Sequence, residues 1–232
     1  MKITIISDDR ALRGDLIAKH SLSILVQHEF TYVLFDMGID ERVLEHNARA
    51  LEIPLDLVDY VIVSHEHTPH YGGYKHVSQE APFTDVYIPY GSIESLGRLL
   101  LASGLKPREV VKWTSIERDV YLATPYYGPP YEQFLVIEHE KGLVVFSGCI
   151  HPGVEVIRDI VNKARRNIYA IIGGFHLRNA PLEVVERAIN TLRELKPELV
   201  VPLHCSGEVV VKRLEKTGLR VITGGAGLVL EI

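Results

Sequence analysis

Three histidines fall within Ser64-His65-Glu66-His67-Thr68-Pro69-His70, directly after the apolar run Val61-Ile62-Val63. Imidazole is the commonest metal-binding side chain, and its neutral form suits zinc, manganese or iron. In an extended segment side chains alternate, so His65 and His67 are expected on one side, with His70 swinging back to the same ion after a turn at Pro69. Alternation points Glu66 away from them, to a supporting or surface role. The chemistry such a cluster could support is activation of a metal-bound water. A polar loop of solvated histidines is the other reading, and what argues against it is the density of imidazoles beside Gly72-Gly73.

Further candidate ligands stand where predicted strands end. Phe146-Ser147-Gly148-Cys149-Ile150-His151 closes one apolar run, Gly173-Gly174-Phe175-His176 a second, and Leu203-His204-Cys205-Ser206-Gly207 a third. Strand C-termini in a layered α/β fold lie along one edge and commonly carry the ligand site, so Cys149, His151, His176 and His204 are expected to converge there. Each alone would suit a hydrogen-bonded core or rim residue; their repetition at one kind of position is the argument for ligation. Flanking glycines permit the backbone bends that would aim the rings inward. His20 is a rim candidate with an equal claim to a structural role.

The elements that must position these residues are legible from periodicity. Met1–Ile6 reads as a short alternating strand, too brief for a signal peptide, and Ser21–His28 with Thr31–Gly38 reads as a hairpin turned at Glu29-Phe30. Asp40–Glu52 places Val43, Leu44, Ala48 and Leu51 on one helical face before Pro54. Strands follow at Tyr60–Ser64 and Asp85–Pro89, and Ser92 is expected to cap a helix carrying Ile93, Leu96 and Leu100 as far as Gly104. More strands are predicted at Val110–Trp113, Asp119–Thr124, Gln133–Glu138 and Leu143–Ser147. The second half alternates: helix Val154–Arg165, strand Ala170–Ile172, helix Pro181–Leu195, strand Leu199–Leu203, a helix capped by Ser206, then strands Leu219–Thr223 and Leu228–Ile232. An α/β (α+β) chain of strand-rich halves, each followed by helices, suggests two sheets packed face to face with helices outside, a four-layer αββα sandwich in one domain over 1–232.

Composition narrows the function. The chain has 232 residues, 47% hydrophobic, with a net charge of −5 and no long basic block to track a phosphate backbone, so nucleic acid is not indicated as a partner. No apolar stretch approaches the roughly 20 residues of a membrane span. Two cysteines make no disulfide framework. A cytoplasmic protein acting on a small molecule is the expectation.

The segments Ala18-Lys19-His20-Ser21-Leu22-Ser23, Leu34-Phe35-Asp36-Met37-Gly38, Ser64–His67 with Tyr71-Gly72-Gly73, Ser147–Gly153, Ile172–Leu177 and His204–Gly207 span almost the whole chain. In that order they resemble the metallo-β-lactamase fold superfamily, whose hallmark is a strand followed by His-x-His-x-Asp-His, and within it the archaeal and bacterial dihydropterin ribofuranosyl-aminobenzene phosphate synthase-like branch. The resemblance implies that His65, His67 and His151 hold one metal ion and that His70 and His204 contribute to a second, with zinc the usual ion and manganese or iron as alternatives. It matches Asp36 to the acid that orients a ligand histidine or loop by hydrogen bonding. His176 is implied as a metal or substrate ligand.

The chain departs from that pattern in three places. Pro69 stands where the motif has aspartate, and a proline offers no donor atom. Cys149 occupies the place of an aspartate that bridges the ions in many hydrolases of the fold, where a thiolate could bind a soft ion or simply pack. The segment Ala123–Pro130 carries no histidine where related enzymes often do, leaving that role to His151, while Tyr126, Tyr127 and Tyr131 could line an aromatic pocket or pack as a loop. The expected activity is metal-dependent hydrolysis of an ester or phosphodiester, or a related pterin-branch transfer, with one or two ions per chain. The alternative is a degenerate, non-catalytic member that binds metal or a ligand.

Overall fold

Two compact units account for the chain in the computed structural model, which describes residues 1–232: Met1–Val111 with Gly224–Ile232, and Lys112–Thr223. In the first unit β1 (Lys2–Ser7), β2 (Ser23–His28), β3 (Thr31–Phe35), β4 (Tyr60–Ile62), β5 (Asp85–Pro89) and β6 (Lys106–Val110) form one sheet in that order, with the C-terminal strand Val229–Glu231 beside β1. The strands β1 to β3 run antiparallel and β3 to β6 parallel. The β2–β3 hairpin turns at Glu29-Phe30 as expected, with Glu29 in the left-handed region. Helix α1 (Glu41–Ala50) starts where Asp40 accepts the Val43 N–H at 2.8 Å, and buries Val43, Leu44 and Ala48 against Leu34, Val61 and Val86. The expected alternation of β1 does not survive as one wet and one dry face. After Lys2 all its residues are buried, on both faces of the sheet.

Between β4 and β5 lie two short helices, α2 (Thr68–Tyr71) and α3 (Tyr74–Glu80), which the histidine-rich sequence masked. Gly72 and Gly73 join them because the chain passes tightly under the loop after β3: a Cβ at Gly72 would lie 1.8 Å from the Ile39 carbonyl oxygen. Ser92 makes no capping hydrogen bond. Glu109 on β6 takes that task, its Oε1 accepting the Gly91 and Ile93 N–H groups at 2.8 and 3.3 Å, and a π-helical turn at Ile93–Gly97 leads into α4 (Arg98–Ala102) with Ile93 exposed. The strand expected at Val110–Trp113 is in fact β6, displaced toward Lys106. Its Lys-Pro-Arg-Glu sequence looks like a loop but suits an edge strand, where charge and proline are tolerated.

The second unit is a six-stranded sheet of β7 (Thr114–Glu117), β8 (Val120–Tyr127), β9 (Tyr131–His139), β10 (Gly142–Ser147), β11 (Ile168–Gly174) and β12 (Leu199–Leu203), paired in that order. The strands β7 to β10 are an antiparallel meander, and β10, β11 and β12 are parallel. Helices α5 (Val156–Ala164), α6 (Leu182–Leu195) and α7 (Glu208–Leu214) supply Ile157, Ile160, Ile189, Leu192 and Leu214 to the core that covers Val145, Ile171 and Val200. Ser206 does not cap α7. Its hydroxyl donates to the Leu203 carbonyl at 2.6 Å and accepts the Phe175 N–H at 3.2 Å, which ties the end of β12 to the end of β11. Leu219–Thr223 pairs with β12 only at Val221 and Val200, too little register for a strand before Gly224-Gly225. No helix is long and apolar enough to cross a membrane.

Candidate functional site

In the first unit the parallel pairing of β3 and β4 places their C-terminal ends side by side, and the chemistry gathers there. Asp36 follows β3, fully buried and left-handed at φ +58°, a conformation short polar residues tolerate best. Its Oδ1 accepts the Ser64 N–H at 2.7 Å, and its Oδ2 accepts the Ser64 hydroxyl at 2.8 Å and meets His70 Nδ1 at 2.6 Å. Ser64 Oγ also lies 2.9 Å from His65 Nδ1. One carboxylate therefore fixes the loop after β4 and the ring of His70, with Nδ1 as the proton-bearing nitrogen and Nε2 as the nitrogen suited to an ion.

The loop after β4 is not extended. The His67 N–H donates to the His65 carbonyl at 3.0 Å, and the chain enters α2 at once with Pro69 in its first turn. Even so, the three imidazoles cluster: the His65 ring centroid lies 4.8 Å from that of His67 and 4.1 Å from that of His70. His65 and His70 are buried and His67 is exposed, a graded set with two anchored rings and one at the surface. Glu66 points elsewhere, accepting the Ser95 hydroxyl at 2.8 Å. His20 lies at an exposed position with Nδ1 3.1 Å from Asp9.

In the second unit, parallel β10, β11 and β12 bring the loops after their C-terminal ends together. Cys149, His176 and Cys205 each offer a ligand atom, and these atoms lie within 4.8 Å of one another. The two sulfurs are 3.1 Å apart, and the His176 backbone N–H donates to Cys205 Sγ at 3.2 Å. The His151 ring stacks obliquely on His176, centroids 4.4 Å apart, and His204 is buried with its carbonyl accepting from Arg178 at 2.5 Å. Burial alone would push the Cys205 thiol up, but side-chain hydrogen bonds with Cys149 and His176, together with the His204 charge, bring it well below its ordinary value. A side-chain hydrogen bond to Cys205, separate from the backbone one, holds the His176 imidazole above its usual range. Ile150, His176 and His204 all adopt positive φ, and such outliers in residues other than glycine concentrate where function over-determines the backbone.

Glu132 is a candidate-site residue that sequence reasoning missed. It sits near the start of β9, which runs antiparallel beside β10, so its fully buried carboxylate reaches the loop after β10. There Oε1 accepts the Cys149 and Ile150 N–H groups at 2.8 and 2.9 Å, and Oε2 accepts the His151 N–H at 2.8 Å. Burial raises its pKa to about 7 against the pull of those three donors. The available signal was an acid standing just before the apolar run Phe134-Leu135-Val136-Ile137. Tyr126 and Tyr127 end β8 and Tyr131 begins β9, so they are strand residues flanking the turn: the Tyr126 hydroxyl donates to Asp159, and the Tyr127 and Tyr131 rings lie 4.9 Å apart.

The metallo-beta-lactamase superfamily model matches residues 17–204 of this sequence. The chain is 27% identical, across 89% of its length and 88% of the relative's, to the 7,8-dihydropterin-6-methyl-4-(beta-D-ribofuranosyl)-aminobenzene-5'-phosphate synthase of Methanocaldococcus jannaschii. The solved structure of Tm1679, described as a metal-dependent hydrolase of the beta-lactamase superfamily, aligns with a TM-score of 0.87 at 28% identity, covering 100% of this chain and 99% of that one. YhfI from Bacillus subtilis, a metallo-beta-lactamase fold protein, aligns with a TM-score of 0.73 at 16% identity over 99% of both chains, a likeness of fold.

Proposed function

Because the chain belongs to the metallo-beta-lactamase superfamily, and its two mixed sheets are those of that fold, we propose that it is a metal-dependent hydrolase of a small-molecule ester or phosphodiester. The observation that carries the reading is the buried Asp36–His70 pair with the His65 and His67 rings gathered around it. A carboxylate that holds a histidine by Nδ1 while Nε2 is left to coordinate is the usual support of a metal ligand, and here it belongs to a cluster of three imidazoles. The donor set therefore fits a divalent cation, zinc in the first place and manganese or iron as alternatives. The proposed ligands are those the family resemblance implies: His65, His67 and His151 for one ion, with His70 and His204 for a second, and Cys149 and His176 in support. The chemistry supplied with the ion bound is a water acidified toward a pKa of about 7 and polarisation of the substrate oxygen.

The chain's own contribution is positional. Asp36 fixes the proton on His70, Ser64 fixes His65, and Glu132 holds the Cys149–His151 backbone in place. The setting proposed is the cytoplasm, where both cysteines stay thiols. The phosphate in the name of the M. jannaschii relative's product favours a phosphate-bearing substrate over a carboxylic ester. Turnover of a chromogenic phosphodiester by the zinc- or manganese-loaded protein is expected, with loss on chelation and recovery on re-addition. Metal binding without turnover of any phosphodiester or ester would instead make this a non-catalytic member, a reading favoured by Pro69.

Pro69 also supplies a graded prediction. It stands in the first turn of α2, where an aspartate is favourable to the helix, and its carbonyl accepts the Leu22 N–H at 3.1 Å, a bond that any residue can make. Pro69→Asp is expected to raise metal content from below two ions per chain toward two, with a higher phosphodiesterase rate. Elemental analysis reads the first effect, and unchanged content and rate would show that the second ion is held without an acid at this position.

A further inference from the structure

We infer that Cys149, His176 and Cys205 form a binding subsite for a thiophilic cation, with Cys205 as a coordinating residue. The inference deepens the metal reading above by naming the kind of ion that the second unit selects, and its donor atoms lie entirely within that unit. Three adjacent parallel strands deliver the three side chains to one edge, so no long loop has to close around the ion. Tetrahedral zinc, with Zn–S near 2.3 Å and Zn–N near 2.0–2.1 Å, sets two sulfurs about 3.8 Å apart and a sulfur and a nitrogen about 3.6 Å apart. The sulfurs here are 3.1 Å apart, and all three ligand atoms lie within 4.8 Å of one another, so modest side-chain rotations complete the set.

Three further features favour a thiolate ligand over two packed thiols. The His176 backbone N–H donates to Cys205 Sγ, a bond that stabilises sulfur as an anion. Gly174 leaves the sulfur its space, since a Cβ there would lie 2.7 Å from Cys205 Sγ and 2.1 Å from the Gly148 carbonyl oxygen. His176 itself adopts φ +50°, in the left-handed region that residues other than glycine seldom enter and that gathers at functional sites. Two sulfurs and one imidazole select borderline-to-soft ions such as zinc, cadmium or cobalt over magnesium or calcium, and a three-ligand set leaves a coordination position open.

Cobalt(II) distinguishes this subsite from a histidine-only centre. The reduced full-length protein loaded with cobalt is expected to show an intense near-ultraviolet thiolate-to-cobalt charge-transfer band besides the weak visible bands that imidazole ligands also give. Cys205→Ser should remove about half of that intensity, as should Cys149→Ser, if each sulfur contributes one bond to the ion. Circular dichroism checks that each variant is folded, and the unmodified protein carries the test if either is not. Visible bands without the charge-transfer band would overturn the subsite and leave the histidine-based metal reading standing. Failure to bind cobalt at all would overturn both. A Cys149–Cys205 disulfide that persists in the protein under reductant, detected by thiol titration and mass spectrometry, would also overturn it.

Discussion

Asp36→Ala is expected to cost about 3–5 kcal/mol of stability, because three groups lose their buried acceptor together and each unmet donor costs about 1–3 kcal/mol before relaxation. Those groups are the Ser64 N–H, the Ser64 hydroxyl and His70 Nδ1, all bonded to a carboxylate with no exposure to solvent. Asp36→Asn separates structural from chemical consequences. The amide oxygen still accepts from Ser64, but the amide nitrogen then donates to His70 Nδ1, which drives the ring proton onto Nε2. A histidine protonated at Nε2 cannot coordinate through that atom. Metal affinity is therefore expected to fall about 10–100-fold while the fold is largely kept. Urea denaturation and competitive metal titration measure the two effects separately. Full metal affinity in the asparagine variant would show that His70 is not a ligand.

That prediction draws on a residue the sequence exposed and a contact it did not. Asp36, the three histidines and the strand ends were legible because residue type and apolar periodicity are local properties. So were the β2–β3 hairpin, α1 with its buried face, and β5 and β12 at their bounds. What failed was set by partners distant in sequence. Ser92 looks like a cap until Glu109 takes its place from another strand, and Ser206 looks like one until its hydroxyl is seen joining β11 to β12. The edge strand β6 hid behind Lys-Pro-Arg-Glu because an exposed strand needs no apolar pattern. The pairing of Cys149 with Cys205 was hidden for the same reason: 56 residues separate them, and only the parallel order of β10, β11 and β12 brings their loops together.

Glu132→Ala should be about as damaging as Asp36→Ala, at about 3–5 kcal/mol, since it too strips the acceptor from three donors, two buried and one half-buried. Those donors are successive backbone N–H groups of Cys149, Ile150 and His151, so the carboxylate works as the anion of a backbone nest turned inward. Ile150 makes the dependence sharper. A β-branched residue at φ +56° is a conformation the chain avoids unless something outside it compensates, and Glu132 accepts that residue's own N–H. Glu132→Gln should cost less, about 1–3 kcal/mol, because its oxygen can still serve Cys149 and Ile150 while its amide nitrogen opposes the His151 N–H. In both variants the damage should centre on the loop that carries Cys149 and His151, so hydrogen exchange at residues 149–151 should quicken before the core of β10 does. If alanine costs less than about 1 kcal/mol, or exchange at these amides is unchanged, the loop holds its own shape and Glu132 is a buried acid without a positioning role.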